Sequence, residues 1–190
     1  MPRNFNYDIL PQIKTRWSPR AYSEEKIPRE DLLALIEAAR YAPSCYNEQP
    51  WRFVIADTPE SLEKFRSTLA DMNVLWAKKA PVLIAVCSKK SFSQNGASNF
   101  WHQFDTGTAW GFLSLEAERR GLYSHGMAGF NRDAITKIIG LPADYEVMAM
   151  VAVGKPGNKN DLPTELLDRE EPGTRKEIPA ISFFETFAHK

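Results

Sequence analysis

Arg16, Ser18 and Arg20 alternate along the stretch Arg16-Trp17-Ser18-Pro19-Arg20. In an extended segment alternate side chains leave on one side. Two guanidinium forks and a hydroxyl would then converge, a set that suits a phosphate or another anion. A solvated basic turn would show the same pattern, and the stretch alone does not separate the two. A second stretch, Ala42-Pro43-Ser44-Cys45-Tyr46-Asn47-Glu48-Gln49-Pro50, places short polar groups between two prolines that restrict the backbone at both ends. Asn47 and Gln49 offer amide edges that can pair with a heterocycle carrying alternating N–H and C=O groups. A loop whose side chains only satisfy its own backbone would look alike. A third stretch, residues 121–130 (GLYSHGMAGF), brackets Met127 and Ala128 with Gly126 and Gly129. Glycine lets a ligand approach the main chain, and backbone N–H groups can point at it. The alternative is a strand end with two turns. The spacing is not G-x-G-x-x-G, so it gives no dinucleotide-fold signature.

Other reactive side chains are few. Cys45 and His125 are conceivable as a nucleophilic pair, but no third orienting residue stands out. His125 reads more readily as packed or ligand-lining, and Cys45 as a small buried hydrophobe. His102, His125 and His189 have no metal-ligand spacing, so no metal is expected. Trp101 and Phe104 could line a site for a flat apolar molecule or belong to a core or interface.

These residues need elements to hold them. A short helix is expected near Tyr7–Lys14. A stronger one spans Asp31–Tyr41, with Leu32, Leu33, Leu35, Ile36 and Ala39 in its apolar stripe, and Pro43 ends it. Trp51–Ala56 reads as a strand. Thr58 then caps a helix that has Pro59 at its first position and reaches about Met72. Ala80–Cys87 and Glu146–Gly154 are continuous apolar runs, expected as strands covered on both faces. Ser88–Ser98 is a polar loop. A long helix from about Asn99 to Arg120 mixes small residues with large aromatics and is expected to be buried nearly all round, closing at Gly121. Asn131 caps a helix that stops at Gly140. From Lys155 the chain turns polar, with one helical turn near Leu166, before the apolar IPAISFF segment. Helices alternating with strands indicate an α/β or α+β class.

The 190 residues, 43% of them hydrophobic, suit one globular domain. Lys plus Arg and Asp plus Glu each number 24, so nothing global argues for nucleic acid or an anionic membrane as partner. Two cysteines make no disulfide framework. The start, MPRNFNYDIL, has no apolar leader core, and no run approaches membrane-span length; a cytoplasmic location is the expectation.

Taken together, the stretches resemble the nitroreductase family. Its R-x-S-x-R/K pattern is matched at 16–20 and its A-P-S-x-x-N-x-Q-P-W-x-F pattern at Ala42–Phe53. Its later A-P strand (Ala80-Pro81), D-x-G helix (Asp105-Thr106-Gly107), G-L segment (Gly121-Leu122) and late arginine (Arg175) follow in order over about residues 9–185. The resemblance implies an α+β, three-layer α/β/α fold: a central mixed, mainly antiparallel sheet flanked by helices, in an intertwined homodimer. It implies one domain over 1–190, with 155–190 as an extended C-terminal arm. It further implies FMN as cofactor, NAD(P)H as electron donor, and a small-molecule acceptor such as a nitroaromatic or quinone. Activated alkenes, flavin fragmentation, or flavin binding without turnover are the other readings. Carried over residue by residue, Arg16 and Arg175 resemble phosphate ligands. Trp17 falls within the first flavin motif, and Ser18 resembles a phosphate or ribityl contact. Arg20 matches the cation facing the N1/O2 edge of the ring. Pro43, Ser44, Cys45 and Asn47 resemble a loop offered by the other subunit, braced by Gln49. Met127, Ala128 and Gly129 match the turn near N5 and O4, and Asn73 a further ring contact. Trp101, Phe104 and His125 are the candidates for the acceptor site. No protein side chain is assigned as acid or base. Cys45 stands where serine or a small residue is usual, and Ala128 where some relatives have glutamate. The segment from Ser67 to Lys79 is short, which leaves the ring contacts and lid of longer relatives in doubt.

Overall fold

A computed structural model describes residues 3–187; residues 1–2 and 188–190, His189 among them, lie outside the described residues. Helices α1 (Pro11–Thr15) and α2 (Arg29–Arg40) lead into strand β1 (Trp51–Ala56). Helices α3 (Pro59–Arg66) and α4 (Asp71–Ala77) precede β2 (Val82–Lys89). The long helix α5 (His102–Arg119), strand β3 (Tyr123–Met127), helix α6 (Arg132–Ile138), strand β4 (Tyr145–Gly154) and the short helix α7 (Thr164–Leu167) complete the order.

The strands form one sheet in the order β1-β2-β4-β3, and every pairing is antiparallel. The continuous apolar runs explain the two central strands. Along β2, Val82, Ile84 and Val86 face one cluster while Leu83, Ala85 and Cys87 face another. The first cluster takes Leu32, Leu35 and Ala39 of α2 and Ala109, Leu113 and Ala117 of α5. The second takes Leu62 and Phe65 of α3, Trp76 and Ala77 of α4 and Ile135 of α6. Both faces of the sheet are thus covered, giving three layers. A bulge in β4 opposite Val86/Cys87 shifts the register by one residue.

Four local expectations change. The first helix begins at Pro11 rather than Tyr7. In α2, Leu33 is exposed, so the buried stripe is Leu32, Leu35 and Ala39. The helix started by the Thr58–Ser61 capping box stops at Arg66 instead of running to Met72. Its continuation is diverted by pairing with a distant segment: Asn131 N–H donates to Thr68 O at 2.7 Å, Ala70 N–H donates to Gly129 O at 3.0 Å, and Leu69 bridges Phe130. That pairing is what later places Asn73. Finally, α5 is not buried all round within the chain. Ala109, Leu113 and Ala117 are fully covered, but Phe104 is 73% and Trp101 58% exposed, and a Cβ at Gly107 or Gly111 would meet nothing within 4 Å.

Beyond β4 the chain doubles back on residues 21–23. Tyr22 bridges Pro156, and Gly157 N–H donates to Ala21 O at 2.9 Å. A Cβ at Gly157 would lie 2.4 Å from the Tyr22 carbonyl, so only glycine fits that approach. Leu162 and Leu166 anchor the segment in the core, whereas Ile181 and Phe184 near its end are exposed. Among the described residues no helix is long and apolar enough to cross a membrane.

Candidate functional site

The 16–20 stretch is held from two sides. The Glu170 carboxylate, 6% exposed, accepts Arg20 N–H through both oxygens at 2.9 Å and Ala21 N–H at 2.8 Å. On the other side, His125 Nδ1 lies 2.9 Å from the Pro19 carbonyl oxygen, and the Trp17 ring meets Tyr123 edge-on. Side-chain bonds continue this arrangement: Arg16 Nη1 donates to Trp17 O at 2.9 Å and to Ser18 Oγ at 3.3 Å, and Arg20 Nη1 donates to Arg169 O at 3.0 Å.

Arg16 and Arg175 are brought together. Both line one cleft of about 600 Å³ between the N-terminal segment and residues 172–178. Burial depresses the Arg16 pKa, and the positive charges of Arg175 and then Arg3 depress it further; Glu118 pulls the other way. Like charges gathered at a half-buried spot are costly without an anion between them. The cleft therefore fits a phosphate, the one fragment of FMN that a set of guanidinium groups would hold. Arg3 was not singled out from the sequence, since one arginine near the chain start carries no motif.

Asn73, on α4, donates from Nδ2 to Gly129 O at 2.9 Å. A Cβ at Gly129 would fall 2.9 Å from that same Nδ2 and 3.3 Å from Ala70 Cβ, so a larger residue there would have to displace the Asn73 amide. This bond ties Asn73 to the 127–129 turn. Met127 is 3% exposed and its side chain belongs to the core, which leaves only its backbone for any ligand contact. Gly126 serves packing: a Cβ there would stand 3.1 Å from the Trp110 ring.

The 43–49 loop is ordered through its own polar groups and through α5. Ser44 Oγ accepts Gln49 N–H at 3.0 Å, and Gln49 Nε2 donates to Asn47 O at 3.1 Å. Cys45 N–H donates to the buried Asp105 carboxylate at 3.0 Å. Tyr46, Asn47 and Gln49 all take positive φ, at 51°, 57° and 51°. Such conformations cost non-glycine residues of order 1–3 kcal/mol each and persist only where the surroundings fix them. Glu48 adds to this by accepting Ser93 N–H and Oγ–H.

This loop and the 16–20 stretch sit at opposite corners of the sheet. The loop feeds β1, an edge strand, while the stretch lies against β3, the other edge. Trp51 is level with Ser88 and Glu146, whereas His125 is level with Ala152. Three strand spacings and five residues of rise, counted along the unbulged β2, put them roughly 22 Å apart on the diagonal. That exceeds the width of one tricyclic ring.

Of the proposed acceptor residues, Trp101 and Phe104 are exposed on the α5 side. His125 is packed, its ring 4.5 Å from the Trp76 ring and its Nδ1 at the Pro19 carbonyl. Burial pushes its pKa down to about 4 from 6.5, the Pro19 hydrogen bond opposing only in part and Arg20 and Arg16 adding to the depression. The folded state then binds fewer protons than the unfolded one between pH 4 and 6.5. Stability is fully present above pH 6.5 and falls as the pH drops toward 4, by on the order of 2–3 kcal/mol. Urea unfolding at pH 4.5 and pH 7 checks this: His125→Asn is expected to flatten that part of the profile, and an unchanged slope would refute it. Cys87 is buried, with its thiol pushed up to about 11.

The nitroreductase family model matches residues 13–73 and 62–155. A crystal structure described as an oxidoreductase containing FMN is 36% identical, with a TM-score of 0.94 over 99% of this chain and 97% of that one. A protein of Archaeoglobus fulgidus, provisionally named an NADH dehydrogenase/NAD(P)H nitroreductase, is 31% identical over 82% of this chain and 89% of its own length. Iodotyrosine deiodinase of Thermotoga neapolitana is 29% identical over 79% of this chain and 88% of its own.

Proposed function

The chain belongs to the nitroreductase family, and on that premise we propose that it is an FMN-dependent oxidoreductase that takes electrons from NAD(P)H and passes them to a nitroaromatic, quinone or similar small acceptor. The observation that carries the reading is the Arg16–Arg175 cleft beside an ordered 16–20 stretch. FMN, when bound, supplies hydride acceptance from the nicotinamide and hydride delivery to the acceptor.

The residues divide the remaining work. Arg16 and Arg175 would hold the phosphate, with Ser18 beside them. Arg20, its backbone fixed by Glu170, would place a cation at the N1/O2 edge of the ring, where negative charge develops on reduction. Asn73 and the backbone of Met127, Ala128 and Gly129 would orient the other edge. Protons can come from solvent, so no side chain is required as acid or base.

The diagonal separation supports an intertwined homodimer as the functional unit. One chain would offer the phosphate, the ribityl contacts and one ring edge, and its partner would offer Pro43, Ser44, Cys45 and Asn47. The uncovered side of α5, with Phe104 and Phe112 beside Gly107 and Gly111, is suited to close packing against a second copy. The 155–190 segment is docked on its own chain at Leu166 and Glu170 and exposes Ile181, Phe184 and Phe187 further on; it would reach across as an arm.

A second reading, reductive removal of halogen from an aromatic ring, is favoured by the similarity to the Thermotoga deiodinase. Anaerobic addition of NADPH and, separately, NADH to the purified protein is expected to bleach a flavin absorption band. Subsequent addition of a quinone, a nitroaromatic or a halotyrosine should restore it at rates that rank the acceptors. A flavin that stays oxidised with both nucleotides would refute the oxidoreductase reading.

A further inference from the structure

Arg3 is held against the 16–20 stretch without being used up by it. Its Nη1 donates to Arg16 O at 2.7 Å and to Lys14 O at 3.3 Å, while its Nε and Nη2 are buried with no hydrogen-bond partner. Unmade hydrogen bonds on a buried charged group are expensive, and native structures rarely leave them without a reason. Three facts indicate what the reason is. Arg3 lines the same cleft as Arg16 and Arg175. Its own pKa is lowered by burial and then by the Arg175 charge, so the guanidinium groups are close enough to repel. Only Glu118 opposes that repulsion among the charges that shift Arg3, and Arg3 makes no hydrogen bond to it. The cleft thus gathers Arg3, Arg16, Arg175 and Lys176 against Glu177 of its own lining and the nearby Glu118, an excess of positive charge that a multiply charged anion would offset.

We propose that Arg3 is a third cation of this anion site, so that a flavin phosphate is held by Arg16, Arg175 and Arg3. This rests on the FMN reading above. It adds that Arg3 is part of the cofactor site, and that the site selects phosphorylated flavin over riboflavin through three guanidinium groups rather than two. Two carbonyl anchors, Lys14 O and Arg16 O, hold Arg3 at the cleft.

The test is equilibrium dialysis of the full chain against FMN and against riboflavin, for the wild type, Arg3→Gln and Arg3→Lys, with circular dichroism as the fold control. Arg3→Gln is expected to weaken FMN by about 10- to 100-fold, the loss of one charge-assisted contact, while leaving riboflavin affinity unchanged. Arg3→Lys should fall between, since it keeps the charge and loses the fork. The salt dependence of FMN binding should become shallower in Arg3→Gln. Equal weakening of FMN and riboflavin would make Arg3 a structural strut and overturn the proposal. Unchanged FMN affinity in Arg3→Gln, with the wild type still preferring FMN, would overturn it while leaving the FMN reading intact. A wild type that binds neither flavin would remove both.

Discussion

Replacing Glu170 with alanine is expected to lower the unfolding free energy by about 3–5 kcal/mol and to strip the protein of flavin at the same time. The carboxylate is buried and serves two backbone donors, Arg20 N–H and Ala21 N–H. Hydrogen bonds to a charged group contribute roughly 1.5–3 kcal/mol each, and the truncation leaves two N–H groups facing a void in the interior. The stability effect is local in origin but the functional effect is not. Arg16, Ser18 and Arg20 project from the segment that Glu170 fixes, and Arg20 Nη1 is itself bonded to the adjoining Arg169 carbonyl. Glu170→Gln keeps an acceptor but loses the charge, so it should retain part of both properties. Chemical denaturation with flavin absorbance followed through the same titration checks the pair. An alanine variant with unchanged midpoint and flavin content would mean that the stretch is held by Pro19–His125 and Trp17–Tyr123 alone.

Glu170 also shows what a sequence conceals. In Arg169-Glu170-Glu171-Pro172-Gly173 it reads as one of several charges on a solvated, polar arm. Its burial arises because Leu166, one helical turn earlier, is drawn into the core and carries the chain back to residues 20–21. The same kind of long-range pairing hid the break after Arg66, where residues 68–70 leave the helix to pair with 129–131. β3 was obscured for a different reason. Tyr-Ser-His-Gly-Met lacks an apolar run, and the strand exists because β4 offers a complete edge and Gly126 admits the Trp110 ring. By contrast, the central strands β2 and β4 were legible because continuous burial needs continuous apolar sequence, and β1 was legible from its run of aromatic and β-branched residues. The Thr58 and Asn131 caps were legible because capping is a local bond. The flavin motifs were legible as patterns of residue type and spacing. Their distribution over two corners of the sheet was not, since it depends on strand order, which spacing does not encode.

That distribution leads to the most demanding expectation, complementation between two crippled chains. A subunit carrying Arg16→Ala and Arg175→Ala loses two charge-assisted phosphate contacts. Its homodimer should bind FMN more weakly by roughly 3–6 kcal/mol, about 10²- to 10⁴-fold in affinity. A second subunit carrying Ser44→Ala and Asn47→Val loses the Oγ that closes the loop and places a β-branched side chain at a φ of 57°. Its homodimer should likewise fail to retain flavin, with the loop rather than the phosphate cleft at fault. If each site takes its cleft from one chain and its loop from the other, a mixed dimer contains one site with both halves intact and one with both halves damaged. Co-expressed under two affinity tags and purified through both, the mixed species is expected to carry one FMN per dimer. If cleft and loop belonged to the same chain, every site in the mixed dimer would hold one damaged half, and the flavin content would remain at the level of the two parents. The register favours the first outcome. Trp51 and His125 are separated by the full width of the sheet and by five residues of strand rise along β2, a distance that no rearrangement of the loop's few residues closes within one chain.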